Sequence, residues 1–365
     1  MNTVITPEIR DVIEAVHYRP AVSIIMPFET RINLKKELTH ALKTAADKVE
    51  KELHDLYPDD ISTVVMKKLR NILKEVKFDS GKKSVAIYVS PIFQKMIYLD
   101  IPVEEKIIVD ESFEIRDLLY SKKQLHKYLV LLLSTKESRM YLGNTVTFIR
   151  IVSDIPESVY AFGNDGPDKA LNLTDMSERK EILMEKFMHH IDLGLDSMLK
   201  AYDLPLFVIG NERILTHFKS QSKHASSVIE YVPGNFEEAG LSKLKELMST
   251  HVGDWQKRKQ SELLNRLEQA ADKDALVYGM NNVWSEVMSH QGRLLIVEKN
   301  YMYAAAHGGD QSEIIPEHAS QNKLTAIRDA VDDVIEALLK DGGDVEFVDK
   351  DVLKGFEQIA LIKYY

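Results

Sequence analysis

Short, almost wholly apolar runs recur along this chain between long amphipathic stretches, and that alternation constrains its fold more than any other feature. Residues 21–26, ended by Pro27, read as a buried strand. Residues 34–56 follow, with Leu34, Leu38, Ala41, Leu42, Ala45, Val49 and Leu53 at helical spacing and a stop at Tyr57-Pro58. A second helix is expected over 61–76, strands over 84–89 and 106–109, and a turn at Asp79-Ser80-Gly81. Strands interleaved with helices favour an α/β layer.

The same punctuation continues downstream. Residues 127–134 suit a central strand, and 140–144 with 146–152 suit a hairpin turning at Gly143-Asn144. After the polar loop 163–168, Ser177 opens a long helix to about residue 201. A strand over 206–209 and helices over 211–220 and 236–267 come next. The stretch 246–265 is charged enough to suit a solvated connector. The last part reads as helix 275–289, strands 293–297 and 302–306, helix 322–339 ended by Gly342-Gly343, and strands 345–348 and 359–364. The apolar character of 359–362 predicts an inner strand, with the two helices covering opposite faces of the sheet. In the second helix, Leu324, Ile327, Val331, Val334, Ile335 and Leu338 form the apolar stripe. Arg328, Asp329, Asp332, Asp333 and Glu336 crowd the other side, which is expected to face solvent or a basic protein partner.

At roughly 100–200 residues per domain, 365 residues imply two or three domains. The patterns divide at 1–123, 124–272 and 273–365. Charge divides with them. The first block holds 20 basic and 20 acidic side chains, the second 18 and 21, the third 9 and 16. A net charge of −10 argues against bulk nucleic-acid binding, which neutralises phosphates with Lys and Arg. The absence of cysteine excludes disulfides, thiolate metal sites and cysteine nucleophiles. Residues 1–11 lack the basic start and apolar core of a secretory signal, and the apolar run at 128–133 falls far short of the ~20 residues of a membrane helix. A soluble cytoplasmic protein is expected.

No motif assembles an active site. Gly81-Lys82-Lys83-Ser84 echoes a phosphate loop, but Val76 stands where that pattern needs Gly, and a strand follows. Glu185 and His189 share a helix face, yet two ligands do not make a metal site. Ser220-Gln221-Ser222-Lys223-His224 suits a surface loop better than a nucleophile with its base. The pairs Gly308-Gly309 and Gly342-Gly343 bring no convergent acid and base.

Two C-terminal stretches carry a resemblance. Val277-Tyr278-Gly279-Met280-Asn281-Asn282-Val283 with Gln291-Gly292-Arg293-Leu294-Leu295-Ile296-Val297-Glu298, and Gly342-Gly343-Asp344-Val345-Glu346-Phe347 with the strand after Gly355, resemble the third domain of archaeal and eukaryotic release factors and Pelota. Upstream, residues 21–27, 84–91, 113–119, 129–134, 141–142, 206–210 and Val232-Pro233-Gly234-Asn235 resemble the bacterial branch, the bacterial archaeo-eukaryotic release factor proteins, family 3 most of all. The resemblance implies three domains. These are a release-factor-type N-terminal α/β domain, a ribonuclease-H-like middle domain, and a C-terminal three-layer α/β domain like the kink-turn-binding ribosomal proteins. It also implies a ribosome-related role. The loop 163–177, where the catalytic Gly-Gly-Gln would fall, contains no such motif, and the stop-codon-reading Asn-Ile-Lys-Ser is absent.

The sequence therefore leads to a translation-associated protein that docks on ribosomes or structured RNA without that catalytic motif. Alternatives are a peptidyl-tRNA hydrolase using other residues and a protein-interaction module unrelated to the ribosome. RNA contacts are expected from Lys67, Lys68 and Arg70 on the second helix, Lys82 and Lys83 at the turn, and Lys257, Arg258 and Lys259 on the connector. No catalytic residue, metal, cofactor, membrane or DNA partner is expected.

Overall fold

The computed structural model describes residues 7–15, 19–29, 34–124, 127–144, 147–159, 176–308, 313–316 and 326–364. Two compact units result, one built from Met1–Gln124 with Gln260–Tyr365 and the other from Leu125–Lys259.

The N-terminal block opens with helix α1 (Pro7–Ile13) and strand β1 (Ala21–Pro27). Helices α2 (Lys35–Leu56) and α3 (Asp59–Lys74) follow, then β2 (Ser84–Val89), β3 (Gln94–Leu99), β4 (Lys106–Asp110) and α4 (Arg116–Gln124). The sheet is antiparallel in the order β3-β2-β1-β4, with Val22 opposite both Val89 and Val109. Because strand side chains alternate, β1 presents Val22, Ile24 and Met26 to one face and Ala21 and Ile25 to the other. The first set packs under α2 and α3 with Leu42, Val49, Leu53, Val65 and Leu69. The second set needs another cover, which the C-terminal block supplies.

The second unit is a mixed sheet. It comprises β5 (Tyr128–Leu133), β6 (Ser138–Gly143), β7 (Phe148–Ile151), α5 (Met176–Tyr202), β8 (Leu206–Gly210), α6 (Glu212–Gln221), β9 (Val228–Pro233) and the first half of α7 (Leu241–Ala271). Strand order is β7-β6-β5-β8-β9; β5, β6 and β7 pair antiparallel, and β5, β8 and β9 pair parallel. Helices α5 and α6 cover Leu129, Leu131 and Val208. Leu244, Met248 and Val252 of α7 cover Val130, Leu132 and Ile209 on the opposite face. The expected hairpin is present, and its glycine has a reason: a Cβ at Gly143 would lie 2.3 Å from the Tyr128 ring. Most of the loop 163–177 singled out above lies outside the described residues.

The chain returns to the first unit through the rest of α7. It adds β10 (Leu276–Tyr278), α8 (Met280–Met288), β11 (Gly292–Glu298), β12 (Ala305–His307), β13 (Ile314–Pro316), β14 (Ala326–Ile327), α9 (Ala330–Lys340), β15 (Asp344–Val348) and β16 (Ile359–Lys363). The main sheet runs β10-β16-β11-β15, with β13-β12-β14 as a small satellite. The final strand is an inner one, as expected, and its first four residues are buried.

Five expectations are corrected here. The helix expected over 275–289 begins as β10, because Gly279 at φ +77° turns the chain before α8. The helix expected over 322–339 begins only at Ala330, where the Asp329 side chain accepts the Val331 amide, while 326–327 form β14 and 322–325 lie outside the described residues. Helices α8 and α9 do not flank the sheet but share one face; Leu263, Leu267 and Ala270 of α7 cover the other. The connector helix is accordingly not merely solvated, since it carries a buried stripe into each unit.

The fifth correction concerns charge. The acidic side of α9 does not face solvent or a foreign partner; it is sealed against the N-terminal block. Arg116, 1% exposed, pairs with Asp329, lies 3.8 Å from Asp332 and donates to the Tyr301 carbonyl. The Asp332 carboxylate accepts the amides of Ile115 at 2.6 Å and Arg116 at 3.0 Å, and Ser112 Oγ donates to Asp333 at 2.5 Å. At the far end of the same seam Lys123 pairs with Asp344 and Glu346, each at 3.1 Å. Around these charges Ile25, Tyr88, Phe113 and Leu118 share one core with Trp284, Val331, Ile335 and Leu338. Carboxylates that look like surface on the helix alone become interior because the partner strand face has no other cover.

Two outcomes follow from this packing. In a Trp255→Phe background, a chain ending at Gly355 loses β16 and should show no cooperative urea transition when followed by Trp284 fluorescence, whereas Leu361→Ala in the full chain should cost about 2–5 kcal/mol. Arg116→Ala strands buried carboxylates and should destabilise the first unit by about 3–5 kcal/mol in the same measurement.

Candidate nucleic-acid interface

Helices α2 and α3 form an antiparallel pair whose apolar stripes face the sheet, which leaves their outer sides to the polar residues. Ser62 locks the pair from inside, its hydroxyl donating to the carbonyls of Leu53 at 3.2 Å and Pro58 at 3.0 Å. Outside lies a groove of about 390 Å³ lined by Glu50 and His54 of α2 and by Thr63, Lys67, Arg70 and Lys74 of α3. Lys67, Arg70 and Lys74 follow i, i+3, i+7 spacing, so they form one cationic stripe.

Of the expected residues, the structure brings Lys67 and Arg70 together in this groove. Arg70 donates to Glu50 Oε1 at 2.6 Å but stays more than half exposed, so an incoming phosphate can compete for it. Lys67 is exposed and has no ion-pair partner among the described residues. Lys68 is half-buried and points about 100° away along the helix. Lys74 and His54 escaped the sequence reading. The spacing of Lys74 from Lys67 and Arg70 could have found it; His54 comes from the other helix, and only packing brings it in.

The remaining clusters are arranged differently. Lys82 is held by both oxygens of Asp100 at 2.8 Å, and Lys83 is exposed at the start of β2. On α7, within the second unit, Lys257 lies 3.5 Å from Asp254 and Lys259 lies 5.9 Å over the Trp255 ring. Arg258 pairs with Glu230, which also takes His251 Nδ1 at 2.6 Å. Most of these cations already serve a neighbour, and only on α3 do several of them line one groove.

The other sequence candidates do not converge on chemistry. Ser222 Oγ donates to Asp192 at 2.6 Å while His224 faces Asp196 at 3.8 Å, so hydroxyl and imidazole serve different carboxylates. Ser84, at the end of the echoed phosphate loop, donates to the Ile101 carbonyl inside the protein. A second groove of about 550 Å³ in the second unit is lined by Glu137, Glu157, Glu237 and Glu238 with Lys136 and Arg139, a balance that repels phosphate. Among the described residues one group of carboxylates could offer oxygens to a metal, those of Glu114, Asp329 and Asp332 within 4.8 Å of one another, but there the Arg116 guanidinium already lies against the two aspartates. No described helix is long and apolar enough to cross a membrane.

Residues 127–293 match the model of bacterial archaeo-eukaryotic release factor family 3. A search of curated proteins finds no match. Among solved structures the chain is similar to a ribosome-bound archaeal Pelota with ABCE1 at 14% identity and TM-score 0.44, over 77% of each chain. It is similar to S. cerevisiae Dom34, a translation termination-like factor that interacts with Hbs1, at 13% identity and TM-score 0.40, covering 80% of this chain and 82% of that one. Archaeoglobus fulgidus Pelota matches at 13% identity and TM-score 0.35, over 77% and 79%. At such distances these folds carry no functional argument.

The groove itself makes a limited demand on stability. Glu50→Gln frees Arg70 from an exposed pair and should change the unfolding free energy from urea titration by less than about 1 kcal/mol.

Proposed function

From the match of residues 127–293 to the model of bacterial archaeo-eukaryotic release factor family 3, we propose that this chain is a translation-associated protein that docks on ribosomes or structured RNA. That family match is the observation that carries the reading. The middle segment supports it further, because its strand order, with an antiparallel trio followed by two parallel strands, suits the ribonuclease-H-like domain that the family resemblance implies. We place the domains at 1–123, 124–272 and 273–365, with the first and last sharing one core. Work on translation makes the cytoplasm the natural location.

Docking uses the stripe Lys67, Arg70 and Lys74. These side chains project from a helix braced on its sheet, so each can approach a phosphate with little further ordering. Phosphate contacts of this kind position a protein without reading sequence. The role is non-catalytic. An ester-hydrolysing release factor needs a Gly-Gly-Gln loop to bring a side-chain amide to the ester, and the sequence offers no such tripeptide. The acidic composition of the last third does not oppose docking, because many of its carboxylates lie in the seam rather than on the surface.

Ribosome co-sedimentation across a salt series tests this. Wild-type protein should pellet with ribosomes and be released as salt rises. A Lys67→Gln, Arg70→Gln, Lys74→Gln triple variant should bind more weakly, with a slope of log affinity against log salt shallower by about two to three. Failure of the wild type to pellet, or an unchanged slope in the variant, refutes docking through α3. Turnover of labelled peptidyl-tRNA by the purified protein would instead favour a hydrolase.

A further inference from the structure

The seam between the turn after β4 and helix α9 holds more carboxyl groups than cations. Asp329, Asp332, Asp333 and Glu336 come from α9 and its cap, Asp110 from the end of β4, Glu114 from the turn and Asp117 from α4. Most of these carboxyls already have a partner. Lys106 of β4 lies 2.8 Å from Asp117, and Lys340 pairs with Glu336 one turn before it on α9. Arg328 offers its backbone amide to Asp110 at 2.9 Å while its guanidinium pairs with Glu52, and Arg19 pairs with Glu111. Arg116 serves Asp329 and, at 3.8 Å, Asp332.

Glu114 and Asp333 are left over. Glu114 is 4% exposed, and its Oε2 meets no hydrogen-bond partner among the described residues. The carboxyl of Asp333 turns inward to the hydroxyl of Ser112. The side chains that hold the Glu114 backbone are neutral: Ser23 Oγ accepts its amide, and Tyr88 OH donates to its carbonyl. A buried carboxylate with no cation or full set of donors is costly, whereas a protonated carboxyl is not.

We propose that this seam is a proton-operated latch: the N-terminal and C-terminal blocks stay closed on each other while protons remain on the seam carboxyls, and the seam loosens as those protons leave. Burial pushes Glu114 well above the ordinary carboxyl range and Asp333 up to about 7, in each case against weaker opposing contacts, from Arg116 and Lys106 at Glu114 and from Ser112 at Asp333. Burial raises Asp332 as well, against Arg116 and two backbone amides. The sign follows from proton counting. Where the closed form binds more protons than the open one, opening becomes easier as pH rises. For Asp333 that window runs from the ordinary value of 3.8 to about 7, and the effect levels off above it. Release of this one proton should raise the opening constant about tenfold between pH 6 and 8.5.

Amide hydrogen exchange on the full chain, corrected for intrinsic chemical rates, reads the latch directly. The amides of Ile115 and Arg116 donate to Asp332 across the seam, and those of β1 and β2 lie inside the N-terminal sheet. Between pH 6 and 8.5 the protection of the first pair should fall about tenfold or more, with that of β1 and β2 unchanged. Asp333→Asn, which stays neutral throughout, should make the fall about tenfold smaller than in the wild type. Ser112→Ala removes the donor to Asp333 and should move the midpoint to higher pH; it carries the test if the Asn variant does not fold. Equal protection at the two pH values, a fall shared by β1 and β2, or a midpoint indifferent to the Ser112 change would overturn the latch.

Discussion

Arg116 is the residue around which the first unit closes. Taking a guanidinium out of water is expensive, and only close carboxylates and a backbone acceptor make it tolerable. Asp329, Asp332 and the Tyr301 carbonyl provide them, all from the far end of the chain. Neither set of charges could remain buried without the other. The pairing therefore specifies which surface of the C-terminal block meets the N-terminal sheet, while the surrounding apolar contacts supply most of the attraction.

This dependence runs through to the proposed docking surface. One face of the β1–β2 sheet holds α2 and α3, and the other is closed by the C-terminal block. Helix α3 thus rests on a sheet that is packed on both sides, and its cations project from a braced support. The arrangement also changes what the acidic composition of the last third means. Asp329, Asp332, Glu336 and Glu298 are buried, and Asp344 and Glu346 face Lys123. Net charge by segment describes the unfolded chain better than the surface of the folded one.

Helix α7 shows how one element can serve two cores. Leu244, Met248 and Val252 lie in the second unit, and Leu263, Leu267 and Ala270 in the first. Between them the charged stretch reads as solvated, so the whole helix has weak amphipathic character when averaged. A reading by composition misses both stripes because each is short and they belong to different partners.

The sequence by itself determined the local elements whose signals are local. The buried strands β1, β2, β5, β8, β11 and β16, the α2 stripe, the Gly143 hairpin and the inner position of the last strand are all legible in apolar runs and turn residues. Lys67 and Arg70 were legible as neighbours on one helix, and the match of residues 127–293 to a release-factor family accords with motifs readable in the chain. Only the tertiary structure decided which faces meet. That α8 and α9 share a side of the sheet, that α7 covers the other, and that the acidic side of α9 is interior all depend on non-local contacts, which for α9 join residues more than two hundred positions apart. Helical periodicity shows that a face is polar; whether that face meets water or a buried arginine is set by the free energy of the partner surface, which no local window contains.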